Sequence, residues 1–98
     1  MGISFQWDLA KAKRNINKHG IRFEEAVTVF RDPLSMTVVD DLHSFEEEQF
    51  AIMGVSTHQR LLVVVHVEQG DTLRIISARR ATARERTSYE LGQQAGRP

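Results

Sequence analysis

Five arginines fall within a short stretch near the end of the chain, Arg74, Arg79, Arg80, Arg84 and Arg86, with Glu85 the one acid among them. A guanidinium is planar and forks onto phosphate oxygens, so such a cluster suits a phosphate chain better than lysines would. Two further residues extend its chemistry. His66 interrupts the run LLVVVHV, where a valine would pack at no polar cost, and Tyr89 follows on the segment after the arginines. If Gln69-Gly70-Asp71 is a three-residue loop, Glu68 pairs with Thr72. His66 then lies opposite Arg74, Val64 opposite Ile76, and Arg60 opposite Arg80. This places Arg60, His66, Arg74 and Arg80 on one face. Arg79 stands at the strand-to-helix junction, where free N–H groups of the helix start could share a phosphate with it. Cleaving RNA without a metal needs little more: a group that takes the 2′-hydroxyl proton, and cations that stabilise the charged phosphorane. Each residue also has a purely structural reading. His66 could be a hydrogen-bonded histidine at the core edge, Tyr89 a core anchor with its hydroxyl at the rim, Arg86 an ion-pair partner of Glu90, and the remaining arginines a solvated surface.

Other chemistries find little support. His19, His43, His58 and His66 are scattered without HxxxH or HExxH spacing, and His43 simply neighbours Asp40 and Asp41. No metal site and no cofactor is expected. There is no glycine-rich phosphate loop and no GxSxG elbow. The absence of cysteine excludes disulfides, thiolate zinc sites and a cysteine nucleophile.

The elements that must position these residues can be read from period and punctuation. Phe5 to Trp7 is short and apolar, a candidate edge strand. Asp8 is a good N-cap for a helix in which Leu9, Ala12 and Ile16 share a face and Lys11, Lys13, Arg14 and Lys18 meet water; Gly20 stops it. A second helix runs from about Phe23 to Phe30, with Phe23, Ala26, Val27 and Phe30 as its stripe, and Asp32-Pro33 ends it. The period then changes. Met36 to Asp40 alternates as a half-buried strand, Asp40 to Glu48 is an acidic loop, and Phe50 to Ser56 is a strand. Leu61 to Glu68 is apolar enough to lie centrally, and Thr72 to Ala78 completes the set. Thr82-Ala83-Arg84-Glu85 is a capping box opening a last helix, which Gly92 ends, leaving residues 93–98 as a frayed tail. The expected fold is α+β: a four-stranded antiparallel meander, with helices on one face.

Ninety-eight residues with 41% hydrophobic and 27% charged side chains make one soluble globular domain spanning 1–98. No secretory signal opens the chain and no apolar run could span a membrane, so a cytoplasmic protein is expected. Thirteen basic and thirteen acidic residues cancel. Their distribution does not: residues 1–50 carry six basic and nine acidic groups, net −3, and residues 51–98 carry seven and four, net +3. All seven basic residues of that second half are arginine.

Three stretches, FQWDLAKAKRNINKHGIRFEEAVTVFRDP, GVSTHQRLLVVVHVE and LRIISARRATARERTSYE, together resemble the BrnT family, toxins of bacterial type II toxin–antitoxin pairs. They run in order from Phe5 to Glu90, and WD, KHG with FEEA, and RIISARRAT make the combination specific. Gln6 and Leu9 depart from the family's opening motif. The resemblance implies a fold like that of RelE toxins and a metal-independent endoribonuclease that arrests translation. It implies a BrnA-like antitoxin with a ribbon-helix-helix DNA-binding domain, operator DNA being bound only through the complex. It carries over Lys18, His19 and Gly20 of the KHG element, with Arg60, Arg74, Arg79, Arg80, Arg86 and Tyr89. Arg60, His66, Arg74, Arg79, Arg80 and Tyr89 are thus the catalytic candidates, and Lys18, His19, Arg84 and Arg86 the RNA-binding ones. A non-catalytic module binding RNA or protein, and a partner-binding domain with solvated arginines, are the competing readings.

Overall fold

The computed structural model describes residues 2–40 and 47–95, the last three of these by backbone alone. His43 and Asp41 lie outside the described residues, as do residues 96–98. A short strand β1 (Ser4–Gln6) leads into α1 (Leu9–His19) and α2 (Phe23–Ala26), which tightens into a 3₁₀ turn over Val27–Arg31. Four strands follow, β2 (Met36–Val39), β3 (Phe50–Val55), β4 (Leu61–Gln69) and β5 (Thr72–Arg80), and then α3 (Ala83–Ala95). The local signals act as expected at both ends of α1. The Asp8 carboxylate accepts from Lys11 N–H at 2.9 Å, and Gly20 closes the helix in the left-handed conformation, φ 71°.

The sheet order is β1-β5-β4-β3-β2. β2 to β5 form the antiparallel meander, but β1 is a genuine fifth strand and pairs parallel to β5, Phe5 against Leu73, so the sheet is mixed. The β4–β5 turn is tighter than its sequence suggests. Gln69 pairs with Thr72 across the two residues Gly70 and Asp71, with Gly70 at φ 61° supplying the positive dihedral that two-residue hairpins need. This shifts the register: His66 faces Ile75, Val64 faces Ala78 and Leu62 faces Arg80. A bulge at Ile76, where Val65 pairs with Ser77 while His66 pairs with Ile75, then flips the pleat.

The core lies between one face of this sheet and the N-terminal helices. Ile52, Leu62, Val64, Ile75 and Ala78 meet Ile21, Phe23, Ala26 and Val29, all nearly or wholly buried. α1 contributes less than its apolar residues suggest. Leu9 is 74% exposed and Ile16 is also exposed, while Asn15 is buried: its side-chain amide donates to Ile21 and Ala78 carbonyls and accepts from Ala78 N–H. The amide thereby closes the open edge of β5, which β1 covers only at its start, and satisfies backbone groups that burial would otherwise orphan. All four residues of β2 are exposed rather than half-buried, because the strand lies at the far sheet edge. Gly92 does not end α3, which runs on to Ala95. A Cβ there would come 3.2 Å from Met36 Sδ, so the missing side chain permits a close approach to β2 instead.

Candidate active site

β4 and β5 pass through the middle of the sheet, and their pleat sorts neighbouring residues onto opposite faces. Leu62, Val64, His66 and Arg80 share the helix-covered face; Val63, Val65, Arg74 and Arg79 share the other. Over that second face opens a groove of about 810 Å³. Ala51, Val63, Val65, Ile76 and Ser77 form its floor, Lys18 and His19 from the end of α1 and Arg79 and Glu85 from the β5–α3 junction flank it, and Asp40 and Gln49 also line it. α1 reaches the groove because Gly20 ends the helix beside the β5 edge that Asn15 caps.

Arg79 is held in place. Its two terminal nitrogens donate to Glu85 Oε1 at 2.8 Å and Oε2 at 2.9 Å. Glu85 also accepts from Thr82 N–H, and Thr82 Oγ accepts from Glu85 N–H, so the capping box forms as read. The helix start expected to share a phosphate with Arg79 is therefore already occupied by this carboxylate. The Arg79 guanidinium holds the Glu85 carboxyl far down, at about 2, with the Thr82 hydrogen bonds adding to it against the effect of burial. Arg74, toward the other end of β5, is engaged by Glu47 on the same face.

The sequence-derived cluster of His66, Arg74, Arg79, Arg80 and Tyr89 does not converge. His66 is 1% exposed, wedged in the helix-side core between Phe50, stacked at 5.7 Å, and Phe30, edge-on at 5.0 Å. Its Nε2 lies 3.4 Å from Glu68 Oε2, and its buried Nδ1 has no hydrogen-bond partner among the described residues. Burial pushes the imidazole pKa down, more than Glu68 pushes it up, so the ring is held neutral. Tyr89 is buried and donates to Asp32 Oδ2. Burial pushes the Asp32 carboxyl up, but hydrogen bonds from Tyr89 and from Val55 and Leu34 N–H outweigh it and leave it below its ordinary value.

Arg60 is not opposite Arg80 either; two residues of register separate them. It forks onto Glu25, itself 4% exposed, which also accepts from Ser56 Oγ at 2.7 Å and lies 3.4 Å from His58 Nδ1. The Arg60 guanidinium lowers the Glu25 pKa against the desolvation that would raise it. This network fastens the Ser56–Arg60 hairpin to α2 beneath the sheet. Arg84 and Arg86 are exposed on α3. Of the ten residues singled out by sequence, Lys18, His19 and Arg79 meet in the groove. What sequence reading missed was its floor: Ala51, Val63, Val65 and Ser77 read as ordinary strand residues, and their one signal was an apolar run longer than a single buried face requires.

Among the described residues no group of three or more His, Asp or Glu side chains could hold a metal ion, and no helix is long and apolar enough to cross a membrane. The fold is a two-layer α+β one, with a groove over one sheet face that Lys18, His19 and Arg79 border. The profile described as "Ribonuclease toxin, BrnT, of type II toxin-antitoxin system" matches residues 7–85, and the chain belongs to that family. The crystal structure of the Brucella abortus ribonuclease toxin BrnT has a similar fold, with a TM-score of 0.63 and 20% identity, covering 82% of this chain and 97% of that one. No curated protein sequence matches.

Proposed function

We propose that this toxin is a metal-independent endoribonuclease whose active site is the open-face groove. The observation that carries the reading is the meeting of Lys18, His19 and Arg79 around an accessible sheet face. In such a site the RNA 2′-oxygen attacks the adjacent phosphorus in line, its proton passes to a base, and the 5′-oxygen leaves with a proton. The products are a 2′,3′-cyclic phosphate and a free 5′-hydroxyl. His19 is the histidine at the groove and takes the proton-transfer role that His66, buried on the other face, has no path to fill. Lys18 and Arg79 stabilise the charge that builds on the phosphorane. Arg74, Arg84 and Arg86 contact phosphates further along, while Arg60 and Tyr89 hold the scaffold and Arg80 lies on the helix side. Cleavage of cellular RNA in the cytoplasm arrests translation. A BrnA-like antitoxin with a ribbon-helix-helix domain covers the groove, and operator DNA is bound only through that complex.

The test is cleavage of RNA by purified protein with and without EDTA, alongside His19→Ala and Arg79→Ala, with folding checked by thermal melting. Cleavage is expected to survive EDTA and to fall by about 10²-fold or more in either folded variant. A requirement for a divalent ion, or a folded Arg79→Ala protein cleaving at the normal rate, overturns the mechanism.

A further inference from the structure

Three arginines enter the structure already neutralised: Arg60 by Glu25, Arg74 by Glu47 and Arg79 by Glu85. α1 differs. Its eleven residues carry Lys11, Lys13, Arg14, Lys18 and His19 and no acid. Among the described residues none of Lys11, Lys13, Arg14 and Lys18 has an ion-pair partner. At 100° per residue, Lys11, Arg14 and Lys18 stand at i, i+3 and i+7 and form one stripe, while Lys13 falls on the opposite flank with the exposed Leu9 and Ile16. Lys18, the C-terminal member of the stripe, is itself a wall of the groove. From it the stripe leads away along the helix, about 6 Å to Arg14 and about 10 Å to Lys11 at 1.5 Å per residue. That interval is comparable to a nucleotide step of an extended single strand.

From this geometry we infer that the Lys11–Arg14–Lys18 stripe of α1 is a backbone-binding track that grips the RNA outside the groove, on one side of the scissile phosphate. The inference rests on the groove being the RNA site. Unpaired cations bind a polyanion without first giving up a carboxylate, so each contact adds the release of a condensed counterion. A paired arginine such as Arg79 must exchange Glu85 for phosphate and gains less. The track therefore supplies affinity that does not depend on base identity, and the groove supplies chemistry. An acidic protein segment would meet the same charges, but continuity of the stripe with the groove wall favours the strand that enters the groove.

The experiment measures binding of 2′-O-methyl oligonucleotides, which lack the nucleophile, to the full chain and to Lys11→Ala/Arg14→Ala. A trinucleotide and a decanucleotide are compared across a salt series. Alanine favours helix, so α1 is expected to form in the variant. The double variant should lose roughly tenfold in affinity for the decanucleotide at low salt, with its salt slope smaller by about 1.4, near 0.7 for each single-strand phosphate contact removed. Trinucleotide binding should be unchanged. Single Arg14→Ala should weaken decanucleotide binding, and Lys13→Ala, with the same charge change on the other flank, should leave it unchanged. Equal losses for both oligonucleotides, or for Lys13→Ala and Arg14→Ala, or an unaltered salt slope overturn the track while leaving the groove reading intact. A wild-type protein that binds neither oligonucleotide overturns both.

Discussion

On the helix-covered face of the sheet Arg60 clamps a buried carboxylate and His66 lies between two phenyl rings; on the open face Arg79 and His19 border a groove. The residue types are the same, although His19 comes from the end of α1 and Arg60 from the turn before β4. What differs is solvent. Beneath α1 and α2 a charge must be paired and an imidazole must be neutral, so polar side chains there are spent on structure. Above the sheet the same groups keep access to water and to a ligand. Neighbours in sequence are therefore divided in role: Arg79 faces the groove and Arg80 the helix side, a consequence of the two-residue period of the strand.

The largest contrast is expected between two ion pairs. Arg60→Ala strips the buried Glu25 carboxylate of its guanidinium, leaving only Ser56 and His58 beside it, and should cost about 3 kcal/mol in urea denaturation. Arg74→Ala removes a pair whose acid, Glu47, is 43% exposed, and should cost under about 1 kcal/mol. Equal losses would show that the faces do not differ in desolvation.

Next comes the division between adjacent arginines. Arg79→Ala should slow RNA cleavage by about 10²–10³-fold. Arg80→Ala should stay within a few-fold in the same assay, although the sequence alone counts both arginines among the catalytic candidates. A comparable defect in both would mean that the pleat does not sort their roles.

Packing gives a smaller difference. Val64 is wholly buried on the helix side, and Val64→Ala should destabilise by roughly 2 kcal/mol from the lost methyl groups and the cavity they leave. Val65, half-buried in the groove floor, should cost less than half of that in the same thermal-melting series.

The pH dependence is the subtlest test. His66 has a folded pKa below its ordinary 6.5, so on acidification the unfolded chain takes up this proton first. Stability should begin to fall near pH 6.5 and continue to fall toward the lower folded value. Glu85, at about 2 in the fold against an ordinary 4.5, contributes stability that is complete above pH 4.5 and lost between there and pH 2. Glu25 and Asp32, also held low, add to this second loss. Denaturation midpoints followed from neutral to acid pH should show both phases, and His66→Leu should remove the first alone. A first phase that persists in His66→Leu would assign it to another group.

Much of the fold was legible because it is written in short-range chemistry. Asp8 and Gly20 bound α1, and Thr82 with Glu85 opens α3, since a cap depends on residues within one turn. Periodicity placed β2 to β5 and the central position of β4. Family membership was legible too, from motifs spread between Phe5 and Glu90. The register, the faces and the partners were not. One residue fewer in the Gly70-Asp71 turn and one extra at Ile76 decide which side chains share a face, and neither change leaves a periodic trace. Burial turned His66 from a candidate base into a core residue, because Phe30, twenty residues before Phe50, meets it from the opposite side. Glu25 and Arg60 lie 35 residues apart, and their pairing exists only once α2 packs beneath the β3–β4 hairpin. By itself the sequence determined the elements, their order and the charge they carry. Tertiary structure decided which charges are neutralised, because pairing and desolvation depend on through-space distances that local sequence does not encode.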